Sequence, residues 1–370
     1  MSVYRRPLLQ AWEAAYTAEL TLDQLRRRAA TVGAALADQR ARCLIAFDTR
    51  FLANLLAQTL ALDLAAQGVS VMLASAPAPL PALHHALDRK QADCALYVSA
   101  RNRPYYMGGL ILIADDKSGL SIDPSPDPLP SLVFPPSSPP QETVDVRAPY
   151  LDALRNVIDL DAIRRLPMTF FIDAMAGTTA GMATALLGEG GQTRAIEINR
   201  DPDPLFARGA PQPFEASLNR LRKLVRESDS HLGLALSGDG TALAVVDPTG
   251  EVLDPFEVSL LLAGHLAAHH RQRGLVMAPP PAPNGPLRAY PKHLTAWQEA
   301  TGMKLELVSD GLHLERQPIV AMTATGEVAL SRWSGCPDGL LAGLFLCEAV
   351  SRSNGGLRAL CAALRAQFSG

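Results

Sequence analysis

Aromatic residues are scarce in this chain of 370 residues: 3 Trp, 7 Tyr and 10 Phe make up 5% of it, although 48% is hydrophobic. Its cores must therefore be built mostly of Ala, Leu and Val. There is no excess of positive charge either, since 34 Lys and Arg stand against 37 Asp and Glu. The net charge of −3 gives no reason to expect a nucleic-acid-binding surface. No run reaches the roughly 18 uninterrupted apolar residues of a membrane span. The opening stretch, MSVYRRPLLQAWEAAYTAEL, acquires Glu13 and polar residues too soon for a secretory signal. The five cysteines (Cys43, Cys94, Cys336, Cys347, Cys361) lack close metal spacing and lie in apolar contexts. They read as reduced core residues of a cytoplasmic protein.

What is present is an alternation of short apolar runs with Ala/Leu-rich helical stretches. Strands are expected over 43–47, 69–74, 94–99, 109–114, 168–173, 195–198, 274–278, 304–308 and 318–323. Helices are expected over 20–37, 51–67, 79–89, 150–165, 178–187, 217–227, 258–271, 294–301, 340–353 and 357–367. Thr21 and Gln24 suit a capping box at the first of these, and Gly68 stops the second. Strands alternating with helices imply α/β layers with largely parallel sheets. Residues 124–140, too rich in proline for helix or central strand, read as an extended inter-domain connector, with a proline-recognition ligand as the alternative.

Residues 232–247, LGLALSGDGTALAVVD, are the most specific stretch. An apolar run breaks at Ser237-Gly238-Asp239-Gly240-Thr241 and resumes, as in a strand that delivers a tight loop to a sheet end. Other strand ends carry Phe47-Asp48-Thr49-Arg50, Ser99-Ala100-Arg101-Asn102-Arg103-Pro104 followed by Gly108-Gly109, and Asp173 followed by Gly177. Further on come Gly326-Glu327 and Asp338-Gly339 before a helix. In this order and spacing the chain resembles the phosphoglucomutase/phosphomannomutase superfamily, the α-D-phosphohexomutases, from about residue 20 to 367. The resemblance implies three consecutive α/β/α domains with mixed, largely parallel sheets, over 1–140, 141–272 and 273–370. No R-x-S-G-T-E-P motif follows, so the family's fourth, phosphate-binding domain is expected to be absent.

The resemblance also implies where chemistry should sit. The family's aspartate loop reads D-G-D-x-D-R and holds magnesium; here those positions are Ser237, Asp239 and Thr241, with Ala242 for the arginine. The family's T-A-S-H-N-P loop carries a phosphoryl group on its serine, and that position is Arg101. Arginine stays protonated and has no nucleophilic oxygen. Sliding the loop to use Ser99 would misplace Ala100, Pro104 and Gly109. Counting back from Thr21, the family's F-G-T-x-G-W-R-G loop falls on residues 7–14, with Trp12 on its aromatic and Glu13 on its arginine.

From this the expectations are as follows. No catalytic residue and no metal or other cofactor is expected, Asp239 being the single retained ligand position. Glu327, Arg50, Arg101 and Arg103 are the candidate substrate-binding residues, the arginines forming either an anion pocket or a solvent-facing edge with internal ion pairs. Arg101 or Arg103 could satisfy Asp239 in the metal's place, with Glu13 as the competing partner. His265, His269 and His270 lack an acidic partner nearby in sequence and read as a solvated helix end. Asp173, Thr178 and Thr179 read as a strand end and a helix cap. The whole reads as a catalytically inactive homologue with a regulatory, scaffolding or anion-binding role in carbohydrate metabolism, taking a protein partner or a phosphosugar. The alternative is a residual mutase acting on hexose phosphates.

Overall fold

The computed structural model describes residues 7–16, 19–115, 117–124, 142–188, 190–207, 210–287, 293–330 and 336–368. Almost all of the proline-rich connector lies outside them. The chain clusters into two compact units, 1–150 with 176–178 and 202–211, and 151–175 with 179–201 and 212–370. No helix among the described residues is long and apolar enough to cross a membrane.

The first unit is built on one sheet. Its elements in order are β1 (Pro7–Ala15), α1 (Leu22–Gln39), β2 (Arg42–Phe47), α2 (Ala53–Ala66), β3 (Ser70–Ala74), α3 (Leu80–Asp88), β4 (Cys94–Val98), β5 (Met107–Asp115) and β6 (Glu142–Val144). The spatial order is β1-β5-β4-β2-β3-β6. β4, β2, β3 and β6 run parallel, while β5 and β1 are antiparallel to their neighbours. Parallel strands covered on both faces need apolar residues throughout, and Cys43–Phe47 and Cys94–Val98 are buried without a break. α1 starts where Thr21 accepts from the Gln24 N–H. Residues 7–14, which the resemblance places in a loop, are instead an edge strand paired along its full length with β5.

The second unit begins with a helical stretch that breaks where one continuous helix is expected. α4 (Arg147–Arg155) straddles the division between units, and α5 (Leu160–Arg164) starts afresh with Asp159 as its cap. There follow β7 (Thr169–Asp173), α6 (Met182–Leu187), β8 (Arg194–Ile198), α7 (Asn219–Glu227), β9 (Leu232–Leu236), β10 (Leu243–Val246) and α8 (Pro255–His269). The remaining elements are β11 (Leu275–Ala278), α9 (Leu294–Thr301), β12 (Lys304–Leu307), β13 (Val320–Met322), β14 (Val328–Leu330), α10 (Gly339–Arg352) and α11 (Gly356–Gln367). Two four-stranded sheets result, β10-β9-β7-β8 and β12-β11-β13-β14, each with one antiparallel edge strand, β10 and β14. α10 is buried along nearly its whole length, as a helix apolar all round must be. All five cysteines are free and buried.

Candidate functional site

In the first unit the ends of β2 and β4 meet around a buried carboxylate. Asp48 Oδ2 accepts from Ser99 Oγ at 2.6 Å and from Arg50 Nε at 3.1 Å, and its Oδ1 accepts from the Arg50 backbone N–H. Burial pushes the Asp48 carboxyl up, while Arg50 and Ser99 pull it back down. Arg50 uses its remaining N–H groups on backbone. One terminal nitrogen donates to the carbonyls of Pro104 and Met107, the other to those of Arg101 and Arg103, at 2.6–3.1 Å. With Nε on Asp48, all five guanidinium N–H groups are used. The expectation that Arg50 binds substrate is corrected here: it fastens the 101–107 loop and has no donor left for a ligand.

The loop that Arg50 fastens presents two other arginines. Arg101 adopts a left-handed backbone (φ 49°), and its N–H donates to Ser99 Oγ at 2.8 Å. Ser99 is 1% exposed and closed between Asp48 and that N–H. Arg101 is half-buried. Burial, helped by the Arg101 charge, holds the His84 imidazole down at about 4. Arg103 points outward, and its Nε donates to Glu13 Oε2 at 2.7 Å. Of the two partners expected for these arginines, Glu13 is therefore the one found on Arg103.

In the second unit the tight loop between β9 and β10 closes on Asp239. The carboxylate Oδ1 accepts from Ser237 Oγ at 2.8 Å, Thr241 Oγ1 at 2.8 Å and the Thr241 N–H at 3.1 Å. Ser237 Oγ in turn accepts from the Ala242 N–H. All three side chains are at most 1% exposed. The loop carrying Glu327 lies directly against this one. Leu243 N–H donates to Gly326 O at 2.9 Å, Val328 N–H to Thr241 O at 3.3 Å, and Gly339 N–H to Gly240 O at 2.9 Å. A Cβ on Gly326 would stand 2.5 Å from Leu243 O, and its φ of +85° is left-handed, so glycine is required on both counts. Glu327 itself is half-buried.

Sequence reasoning missed two groups. Both carboxylate oxygens of Asp173 accept from Asn199 Nδ2, at 2.9 and 3.0 Å, and Arg220 donates to Asn199 Oδ1. Thr178 and Thr179 do not cap α6; that helix begins at Met182 after Gly181, whose N–H donates to Glu197. The second group corrects the reading of His265 and His270 as a solvated helix end, while His269 is exposed as that reading expects. Glu348, from the middle of α10 and fully buried, is the acidic partner of His265 and His270. Burial would raise its carboxyl, but His265, His270 and Arg352 outweigh that and hold it at about 2.

The sequence matches the family models described as phosphoglucomutase/phosphomannomutase α/β/α domain I over residues 12–127 and domain II over residues 148–250. A phosphoglucosamine mutase from Methylococcus capsulatus is 28% identical over 251 residues, 64% of this chain and 53% of that protein. A probable phosphoglucosamine mutase from Pyrococcus abyssi is 27% identical over 84% of this chain and 68% of its own length. Among solved structures, a putative phosphomannomutase from Thermus thermophilus superposes with a TM-score of 0.80 at 23% identity. That likeness covers 100% of this chain and 85% of the other and bears on fold alone. The chain thus spans about half the length of the first of these relatives.

The expectation of no cofactor is overturned by these matches, because the relatives are mutases of the family whose aspartate loop holds magnesium. The residues here can be tested against that ion. Ser237 Oγ, Asp239 Oδ1 and Thr241 Oγ1 already converge at hydrogen-bonding distance, and all are oxygens, the hard donors that magnesium takes. One carboxylate is within the one or two that protein magnesium sites commonly supply beside phosphate oxygens. These three residues would hold the ion, which when bound would neutralise phosphate charge.

Proposed function

Because the chain belongs to the phosphoglucomutase/phosphomannomutase family, the α-D-phosphohexomutases, we propose that it binds a hexose phosphate without carrying the phosphoryl group on its serine-position loop. The observation that carries this reading is the state of that loop. Arg101 occupies the carrier position, and Ser99 Oγ is buried between Asp48 and the Arg101 N–H. Phosphoryl transfer depends on positioned charge around a competent oxygen, and the loop presents guanidinium groups instead. Arg101 and Arg103 would take the phosphate, and Glu327 would accept from sugar hydroxyls. On this reading the chain acts by binding, as a regulatory or scaffolding homologue.

A second reading is supported by the relatives' names: an intramolecular phosphotransferase acting on hexose phosphates, with glucosamine phosphate the first to try. One pair of measurements separates the two. Interconversion of the 1- and 6-phosphates of glucosamine, glucose and mannose is followed with magnesium and a bisphosphate activator, and binding of the same sugars is followed by calorimetry. Binding without turnover, weakened by Glu327→Gln, fits the first reading. Turnover that scales with purified protein and survives Arg101→Ala overturns it in favour of the second.

A further inference from the structure

A metal-ligand set lies away from both loops, inside the second unit. His265 sits one turn before the end of α8, His270 is the residue that ends the helix, and Glu348 comes from α10, 78 residues after His270. His270 Nε2 is 3.1 and 3.2 Å from the two carboxylate oxygens, and His265 Nε2 is 3.6 Å from Glu348 Oε1. One ligand atom from each residue lies within 4.8 Å of the other two. A hydrogen-bonded carboxylate accounts for His270. It does not account for His265, whose Nε2 is buried and has no hydrogen-bond partner among the described residues. A polar atom in that state is costly, and this one is aimed at a carboxylate just beyond bonding distance.

A tetrahedral ion resolves the arrangement. With metal–ligand bonds of about 2.0–2.1 Å, neighbouring ligand atoms around a tetrahedral centre stand about 3.3 Å apart. The two imidazole–carboxylate separations, 3.1 and 3.6 Å, fall on either side of that value, and the two imidazoles lie within 4.8 Å of each other. Two imidazoles and a carboxylate suit zinc-class ions better than magnesium or calcium, which prefer all-oxygen shells. We propose that His265, His270 and Glu348 bind a divalent transition-metal ion of the zinc class.

The neighbours of the set fit that role. Arg352 Nε donates to Glu348 Oε1 at 3.1 Å while its terminal nitrogen holds Asp159 at 2.6 Å. The guanidinium therefore orients the carboxylate but also competes with a cation for it. A cavity of about 270 Å³, lined in part by His265, His269 and Arg352, lies on the His265 side of the set. The ion would tie α8 to α10, and so stabilise the unit by binding the folded state alone.

The test uses the full chain and cobalt(II), whose visible absorption reports tetrahedral coordination. One equivalent of cobalt should bind with an intense tetrahedral band, be displaced by zinc, and raise the thermal midpoint. His270→Ala, at the partly exposed end of the helix, should weaken binding by about 100-fold or more, and Glu348→Gln likewise. Arg352→Gln, which removes the competing cation, should tighten it. His313→Ala, at a surface site beside Asp310 and Glu315, should change nothing. Absence of a tetrahedral cobalt band in the folded wild type overturns the proposal. So does binding that is retained in a folded His270→Ala variant, or lost in His313→Ala.

Discussion

The serine-position loop and the aspartate loop are built on opposite plans. In the first, one buried cation, Arg50, gathers four backbone carbonyls and the Asp48 carboxylate, and the loop it holds turns Arg103 outward. In the second, one buried anion, Asp239, gathers two hydroxyls and a backbone N–H. A buried charge organises each loop, but the first is ordered by a cation that collects backbone carbonyls and the second by an anion that collects side-chain hydroxyls. That difference is what a substitution series can break.

Arg50→Met should have the largest effect. It strands the buried Asp48 and frees four carbonyls at once, and removing one partner of a buried pair costs roughly 3–5 kcal/mol. Arg50→Lys should recover little of this, since three donors on a point charge cannot replace a planar fork of five. Urea denaturation of the first unit reads the loss. A change under about 1 kcal/mol would mean that the cation does not hold the loop.

The next effect is a pH dependence specific to the first unit. His84 is buried and neutral, its folded value near 4 lying below the ordinary 6.5. The unfolded chain therefore binds the proton first on acidification. Stability from this residue is complete above about pH 6.5 and is lost as the pH falls toward about 4, by about 3 kcal/mol at the limit. His84→Gln should flatten that part of the stability–pH curve relative to wild type. Arg101→Ala, which removes the smaller of the two causes, should shift the transition slightly upward in pH. Equal slopes in wild type and His84→Gln would show that the imidazole titrates freely.

Asp239→Ala follows, at about 1–3 kcal/mol, because it leaves two buried hydroxyls and an N–H without their acceptor. Asp239→Asn should cost less, since a carbonyl oxygen can still accept from all three. A magnesium titration sharpens the comparison further. An ion held by Ser237, Asp239 and Thr241 must replace the hydrogen bonds among them, so a thermal shift with magnesium should be abolished by Asp239→Ala and left intact by Arg50→Lys.

Much of the fold was legible because the Ala/Leu/Val runs are bounded by sharp stops, and α9 falls on the expected residues. What was not legible depends on contacts distant in sequence. Residues 7–15 become a strand because β5, about 100 residues on, offers an edge. The helix expected over 150–165 breaks because Asp159 caps a new one. The strand motifs marked Arg50 as a cation at a sheet end, but only coordinates show that five acceptors already surround it. The partner of His265 and His270 could not be found locally, because Glu348 lies on another helix, 78 residues after His270. Asn199 fixes Asp173 across 26 residues, a contact that no local pattern announces.

The smallest stability effect, and the sharpest test of the contrast, belongs to Arg103. Its side chain is 63% exposed and its partner Glu13 16% exposed, so the pair is screened and contributes about 1 kcal/mol or less. Arg103→Ala should therefore barely move the denaturation midpoint. Binding should respond differently. If the first loop holds its outward cations for a phosphate, Glu13 is an internal competitor occupying one of them. Glu13→Gln should then tighten the binding of inorganic phosphate or a hexose phosphate, Arg103→Ala should weaken it, and the double variant should resemble Arg103→Ala. The tightening should shrink as salt is added, because the exposed Arg103 guanidinium feels a screened field. Calorimetry at two ionic strengths decides it. If Glu13→Gln weakens phosphate binding, the carboxylate is positioning Arg103 rather than blocking it. If neither variant alters phosphate binding, Arg103 is not one of the cations that receive the anion.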